Sequence, residues 1–110
     1  MNRFDLYVMI FYTLDADWDK TKNEELGLFL SGMNPFLFKG EGSAVPDYYA
    51  TYCDFLNDRE ISVDNSFAIA KEYISFLNKD YVSNAFEWID AEKWSKGLNK
   101  YLEEPYPLSE

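Results

Sequence analysis

The sequence predicts an all-α single domain of five to six short helices. Its 110 residues fit one domain. Apolar residues recur at steps of three and four along most of the chain, which is the spacing of a helix with one buried face. Capping residues, glycines and prolines separate these segments, so each helix is expected to be short. The alternative is an α+β fold, in which the β-branched and aromatic residues of segment 4–12 form a strand.

The first predicted helix runs from Arg3 to about Trp18. Strict alternation of apolar and polar residues is absent, which favours a helix over a strand. The run Leu6–Leu14 has the length of a signal-peptide core, but acidic residues flank it and no small-residue cleavage site follows, so we interpret it as a buried amphipathic helix. No run reaches the roughly 18 apolar residues of a membrane span. The inward face is predicted to comprise Phe4, Tyr7, Val8, Phe11, Leu14 and Trp18.

The densest apolar run, Leu26–Phe38, is interrupted by glycine and proline. Thr21, followed three residues later by Glu24, has the spacing of a capping box. It predicts a short second helix that continues to about Ser31. Gly32 suits the left-handed position that ends many helices.

Asn34 and Pro35 then predict a new helical turn, because Asn caps helices and Pro is favoured at the first helical position. The apolar side chains of this region are also the first candidates for a small-molecule pocket between helices. That candidate pocket comprises Phe29, Met33, Phe36 and Phe38.

The second half of the chain predicts four further helices after a glycine-containing loop, Lys39–Val45. The clearest is capped by Ser62 and places Val63, Phe67, Ala70, Ile74 and Leu77 inward. Gly97 in the last helix indicates a close approach of two helices. Prolines in segment 105–110 leave it as a loose tail of a domain that spans residues 1–104. The four helices are predicted over residues 46–56, 63–78, 80–89 and 91–102.

The charge balance limits the partners that the chain can bind. Ten basic residues stand against 20 acidic ones, for a net charge of −10. Such a field repels nucleic acid and anionic membranes, since affinity for both depends on Lys and Arg. It favours solubility or a basic protein partner.

Residue usage also limits the chemistry. The chain has no His, which removes imidazole-based catalysis and the commonest metal ligand. A single cysteine, Cys53, allows neither an intrachain disulfide nor a cysteine zinc site, and it indicates a reduced, cytoplasmic protein. The sequence predicts no catalytic residues, no cofactor and no enzymatic activity.

A calcium site is the third-ranked alternative function. Asp15, Asp17 and Asp19 match the first acidic positions of a helix-loop-helix calcium loop. The loop would require Gly at the position of Lys20 and a bidentate Glu at that of Leu26. The simpler interpretation is a solvated acidic helix end, so no metal site is predicted.

The favoured function is a non-enzymatic protein–protein interaction module. Aromatic residues make up 19% of the chain, and several lie beside carboxylates. Immunity proteins and inhibitors use such mixed surfaces to bind basic partners, and a surplus of aromatic surface is also compatible with homo-oligomerisation. The partner-binding surface is predicted to comprise Asp47, Tyr48, Tyr49, Tyr52 and Asp54.

Two strings, TKNEELGLFLSGMNPFLF and IAKEYISFL, resemble a group of small acidic bacterial proteins without assigned function. The resemblance covers residues 21–77. It implies an intracellular bacterial protein, and it carries no activity or site residue to any position here.

Overall fold

A computed structural model describes residues 1–37 and 42–104. In these ranges it contains six α-helices, one short 3₁₀ turn and no strand, which confirms the all-α prediction. The predicted tail 105–110, the start of the predicted loop and Phe38 lie outside the described residues. The elements are α1 (Arg3–Thr21), α2 (Glu24–Met33), the 3₁₀ turn (Pro35–Leu37), α3 (Pro46–Leu56), α4 (Val63–Leu77), α5 (Asp80–Phe86) and α6 (Ala91–Glu103).

Helix α1 is the centre of the fold. The sequence predicts one buried face for this helix. Instead, every side chain from Leu6 to Phe11 is buried, so this segment of the helix is covered on all sides. Helices α2, α4, α5 and α6 pack against it, and tyrosines of α3 contact its first turns. A helix that is apolar all round is stable only where other elements surround it. The run that resembles a signal-peptide core is therefore the core of the domain.

The boundary between α1 and α2 differs from the prediction. Helix α1 continues to Thr21, so this residue cannot cap the next helix. Lys22 adopts a left-handed conformation (φ 53°) that turns the chain. Asn23 then caps α2, because its side chain accepts a hydrogen bond of 2.9 Å from the backbone N–H of Leu26. The capping-box prediction at Thr21 and Glu24 is therefore wrong, although a cap two residues later serves the same purpose.

The prediction that Gly32 ends α2 is wrong, because this residue lies buried inside the helix. A Cβ atom at Gly32 would lie 2.7 Å from the Cε2 atom of Tyr48, which is closer than a real Cβ contact. Gly27 shows the same feature, with 2.8 Å to the indole Nε1 of Trp18. The glycines of α2 thus allow two aromatic rings to lie against its backbone.

Gly97 does not mark the predicted close approach of helices. It is exposed, and the nearest contact of an added Cβ would be the Cε atom of Met9 at 3.6 Å, an ordinary van der Waals distance. Packing therefore does not require glycine at this position.

The helix caps of the second half follow the sequence. Ser62 caps α4, and Asp90 caps α6 through a hydrogen bond of 2.8 Å from the N–H of Lys93. The inward face of α4 is rotated relative to the prediction: Val63 is 44% exposed, whereas Ser66 is fully buried. Trp94 explains the buried serine, because its indole N–H donates to the Ser66 hydroxyl over 2.9 Å.

Helix α5 ends at Phe86, earlier than the predicted Ile89. The chain that follows brings Trp88 against α1, where its indole N–H donates to the carbonyl of Thr13 over 3.2 Å. This hydrogen bond joins the α5–α6 connection to the central helix. The Trp88 side chain also lines a surface cleft between α1 and α6.

Gly32→Ala should lower the free energy of unfolding by about 1 kcal/mol, because the added methyl group displaces the Tyr48 ring. Gly97→Ala, the matched control, should raise it by about 0.5–1 kcal/mol through helix propensity alone. Urea unfolding of both variants measures the two changes.

Repeating Gly32→Ala in a Tyr48→Ala background tests the cause. Without the ring, the same substitution should become neutral or stabilising. An equal loss of stability in both backgrounds would show that the Tyr48 contact is not the reason.

Candidate functional site

The outward face of α3 carries two exposed carboxylates. Asp47, Ala50, Thr51 and Asp54 are all exposed and follow the i, i+3, i+4, i+7 spacing of a single helical face. The two predicted carboxylates therefore lie on the same side of α3. Small side chains lie between them, so a partner surface can approach the helix closely.

The charge of this region is balanced only in part by its neighbours, although the Arg3 guanidinium of α1 donates to the Asn57 carbonyl over 2.6 Å. Residues 46–64 contain five acidic residues and a single basic one, Arg59. The guanidinium of Arg59 pairs with the Glu72 carboxylate of α4 over 3.0 Å. Asp47, Asp54 and Asp58 form no ion pair with the described residues. The α3 face thus presents uncompensated negative charge to solvent.

Tyr52 is not part of the predicted partner surface, because it is fully buried. Its hydroxyl donates to the carbonyl of Arg3 over 2.6 Å, and its ring centroid lies 4.9 Å from that of Tyr7 and 5.2 Å from that of Tyr73. The prediction that Tyr52 binds a partner is wrong. It faces the core because its side of α3 packs against α1.

Tyr48 and Tyr49 are half-buried at the edges of α3. Tyr48 stacks on Phe29 of α2 with a centroid distance of 5.4 Å, and Tyr49 packs edge-on against Tyr7 at 4.9 Å. Part of each side chain remains accessible beside the acidic face. These tyrosines therefore flank the candidate surface rather than form its centre.

A partly exposed aromatic pair lies near the C-terminal end of α3, next to Asp54. Phe76 of α4 is 52% exposed, and its ring centroid lies 5.0 Å from that of the half-buried Phe55. The sequence prediction missed this pair. Its signal was present, because Phe76 falls between Ile74 and Leu77 and so lies off the apolar face predicted for α4.

Two residues of the predicted aromatic pocket belong to the core. Phe29 and Met33 are 7% and 1% exposed, and Phe36 packs against the rings of Phe11 and Tyr12. None of these three residues lines any of the five clefts described between α1 and α6, α4 and α5, α1, α2 and α5, α1 and the α3–α4 connection, or α1 and α2. Phe29 and Met33 are thus core residues, and a pocket that also includes Phe36 and Phe38 stays a prediction.

A second acidic region lies where α1, α2 and α5 meet. Asp17, Glu25 and Asp80 line a cleft of about 500 Å³. Glu25 and Asp80 each lie in the first turn of their helix, where the helix dipole favours a negative charge. This arrangement has a structural explanation without a ligand, and it extends the negative field beyond α3.

The acidic triplet of α1 does not form a calcium loop. Asp15, Asp17 and Asp19 all lie within α1, where residues two apart point about 200° apart, so Asp17 points away from Asp15 and Asp19, which share one face. Asp19 instead pairs with Lys22 over 3.2 Å. Across residues 1–37 and 42–104, no three His, Cys, Asp or Glu side chains are arranged to hold a metal ion.

The chain matches no family model, and comparison with curated proteins and with solved structures found no significant similarity. In the described part of the chain, no helix combines the length and the apolar character needed to cross a membrane. The function is therefore argued from the surface itself.

Burial raises the pKa of the phenols of Tyr7, Tyr52 and Tyr73 well above the ordinary value of 10.0. In the unfolded chain these phenols ionise near pH 10, whereas the native state keeps them neutral. The unfolded state thus binds fewer protons above pH 10, and stability falls as the pH rises further.

Each of these phenols should therefore lower the free energy of unfolding by about 1.4 kcal/mol per pH unit above pH 10. Urea unfolding between pH 8 and 11.5 measures the slope, and Tyr52→Phe should make it shallower. Absorbance at 295 nm should show at least three of the nine tyrosines ionising only on unfolding. Ionisation of all nine near pH 10 in the folded protein would contradict this expectation.

Proposed function

We propose that this chain is a non-enzymatic interaction module that binds a basic protein partner through the outward face of α3. The observation that carries the proposal is the pair Asp47 and Asp54, exposed on one helical face with no cation paired to either within the described residues. Asp47 lies in the first turn of α3, where the helix dipole also favours a negative charge, whereas Asp54 lies near the other end of the helix. These two are available for a partner's basic residues.

Charge and apolar area have different roles in such an interface. The net charge of −10 speeds the encounter with a cationic protein and disfavours acidic competitors. Most of the binding energy in known interfaces comes from a few well-packed side chains, with aromatic residues over-represented among them. The Phe55–Phe76 pair, with the accessible parts of Tyr48 and Tyr49, supplies that component beside the charges.

This combination fits an immunity-protein-like or inhibitor-like role. A helix that carries carboxylates around small residues, here Ala50 and Thr51, is complementary to a concave basic surface. The partner would then be a cationic protein, and the complex would form in the cytoplasm. A single half-buried cysteine supports a reducing compartment.

Charge reversal on α3 tests the proposal with a matched control. Partners are captured from a native lysate of the source cells, and their binding to purified variants is measured by interferometry. Asp47→Lys with Asp54→Lys should weaken the complex at least tenfold. The control, Glu24→Lys with Asp15→Lys, should change affinity by less than threefold.

The two double variants are matched in charge. Both change the net charge by the same amount, and each alters one first-turn residue, Asp47 or Glu24, and one exposed residue elsewhere in a helix, Asp54 or Asp15. Equal losses in both variants would assign binding to the overall field and contradict a site on α3. Absence of any basic partner, or a complex insensitive to salt between 50 and 500 mM, would also contradict the proposal.

Phe76→Ser tests the apolar component of the same surface. Because Phe76 is 52% exposed, its removal should change the free energy of unfolding by less than about 1 kcal/mol. Partner affinity should fall about tenfold, through faster dissociation with little change in association rate. Unchanged affinity would exclude the aromatic pair from the interface.

A further inference from the structure

We propose that the cleft between α1 and α6 binds a small apolar carboxylate. Its apolar body would lie against α1, and its carboxylate would lie between two lysines of α6. This site uses none of the α3 residues and does not depend on the proposed protein partner. The cleft has a volume of about 650 Å³, within the usual range of small-molecule sites, which is about 300–1,000 Å³.

One face of each helix lines the cleft. Helix α1 contributes Met9, Tyr12, Thr13 and Ala16, which follow the i, i+3, i+4, i+7 spacing of one helical face. Helix α6 contributes Gly97, which faces the Met9 side chain. The short side chains of Thr13 and Ala16, and the lack of one at Gly97, leave space between larger neighbours.

The lack of a side chain at Gly97 leaves the cleft open, although no packing contact requires glycine at this position. An added Cβ would meet only the mobile end of the Met9 side chain, at 3.6 Å, so alanine or a larger residue would fit sterically. Glycine in an exposed helix interior destabilises the helix relative to alanine. The unfilled space at this position is thus the feature that a ligand would use.

Aromatic side chains fix the two walls before any ligand arrives. The indole of Trp88 is held to the Thr13 carbonyl by its hydrogen bond of 3.2 Å. The hydroxyl of Tyr101 donates to the Asp5 carboxylate over 3.1 Å. Rigid walls lower the entropy that is lost on binding, and aromatic faces suit an aliphatic chain or a ring.

Two lysines of α6 provide the positive charge in the lining of the cleft. Lys93 and Lys100 line the cleft seven residues apart, roughly 10 Å along the axis of α6, with Gly97 between them. The ammonium of Lys93 is oriented by the Trp88 carbonyl at 3.2 Å, with the Asp90 carboxylate at 4.0 Å. Lys100 forms no hydrogen bond or ion pair with the described residues.

Two carboxylates limit the ligand to one negative charge. Glu103 and Glu104 also line the cleft, one helical turn beyond Lys100, so a dianion or a polyphosphate would be repelled there. A monocarboxylate with an apolar body places its charge beside Lys93 and Lys100 and its body on the Met9 side. This complementarity is local, because the chain as a whole is strongly acidic.

Octanoate is the probe, with octan-1-ol as a neutral ligand of similar shape. In ¹H–¹⁵N spectra of the full chain, octanoate should shift the amides of residues 9–16 and 93–101 and the indole of Trp88. Lys100→Met should weaken octanoate binding roughly three- to fivefold and leave octanol binding within twofold. Lys96→Met is the control, since Lys96 pairs with Glu92 and does not line the cleft; it should leave both affinities unchanged.

Filling the cleft provides a second, independent variant. Gly97→Leu should abolish binding of both probes while the remaining amide spectrum stays folded. Ala68→Leu, a similar enlargement at an exposed position of α4 away from the cleft, should have no effect on binding. No shifts up to millimolar octanoate, shifts centred elsewhere, or equal losses in the Lys96 and Lys100 variants would overturn the proposal.

Discussion

The burial of segment 6–11 of α1 on all sides is the constraint on which the rest of the structure depends. A helical segment whose whole circumference is apolar must be enclosed, so the other helices each direct residues toward it. Tyr7 lies at the centre of this arrangement. Its hydroxyl donates to the Met33 carbonyl at the end of α2 over 2.8 Å, and its ring contacts Tyr49 and Tyr52 of α3. One residue thereby joins three helices, and it satisfies a carbonyl group that the end of α2 leaves without an intrahelical partner.

This enclosure explains how charge is distributed. Because the inner faces of α2–α6 are used by the core, the acidic residues are displaced to the outer faces, where only local pairs such as Arg59–Glu72 and Lys96–Glu92 offset them. Helix α3 contains no basic residue and therefore retains its full negative charge. Helix α6 carries three lysines, so it is less acidic than α3, although Asp90, Glu92, Glu103 and Glu104 offset them. The two proposed sites follow from this asymmetry.

The positions of the helices could be predicted from the sequence because their end signals are local. Ser62 and Asp90 cap the helices that follow them, and Pro46 begins α3. The orientation of a helix about its own axis is not a local property. The sequence predicts Tyr52 on the partner surface, yet this side chain packs on α1, and it predicts Val63 inward, although Val63 is exposed. Gly32 also depends on tertiary contacts. In the sequence, a glycine that ends a helix cannot be distinguished from one that leaves space for a neighbouring ring, as Gly32 does for Tyr48.

The candidate sites were predictable in part. The acidic character of Asp47 and Asp54 is visible in the chain, and their shared face follows from helical spacing. The contact of Phe76 with Phe55, and the facing of Gly97 toward Met9, join residues far apart in sequence and depend on how helices pack.

Hydrogen exchange of the protein, alone and with its captured partner, tests the central claim most directly. If α3 is the binding face, protection should concentrate in residues 46–58 and 73–77, with the already protected α1 unchanged. Protection confined to α5 and α6, with none on α3, would contradict the account.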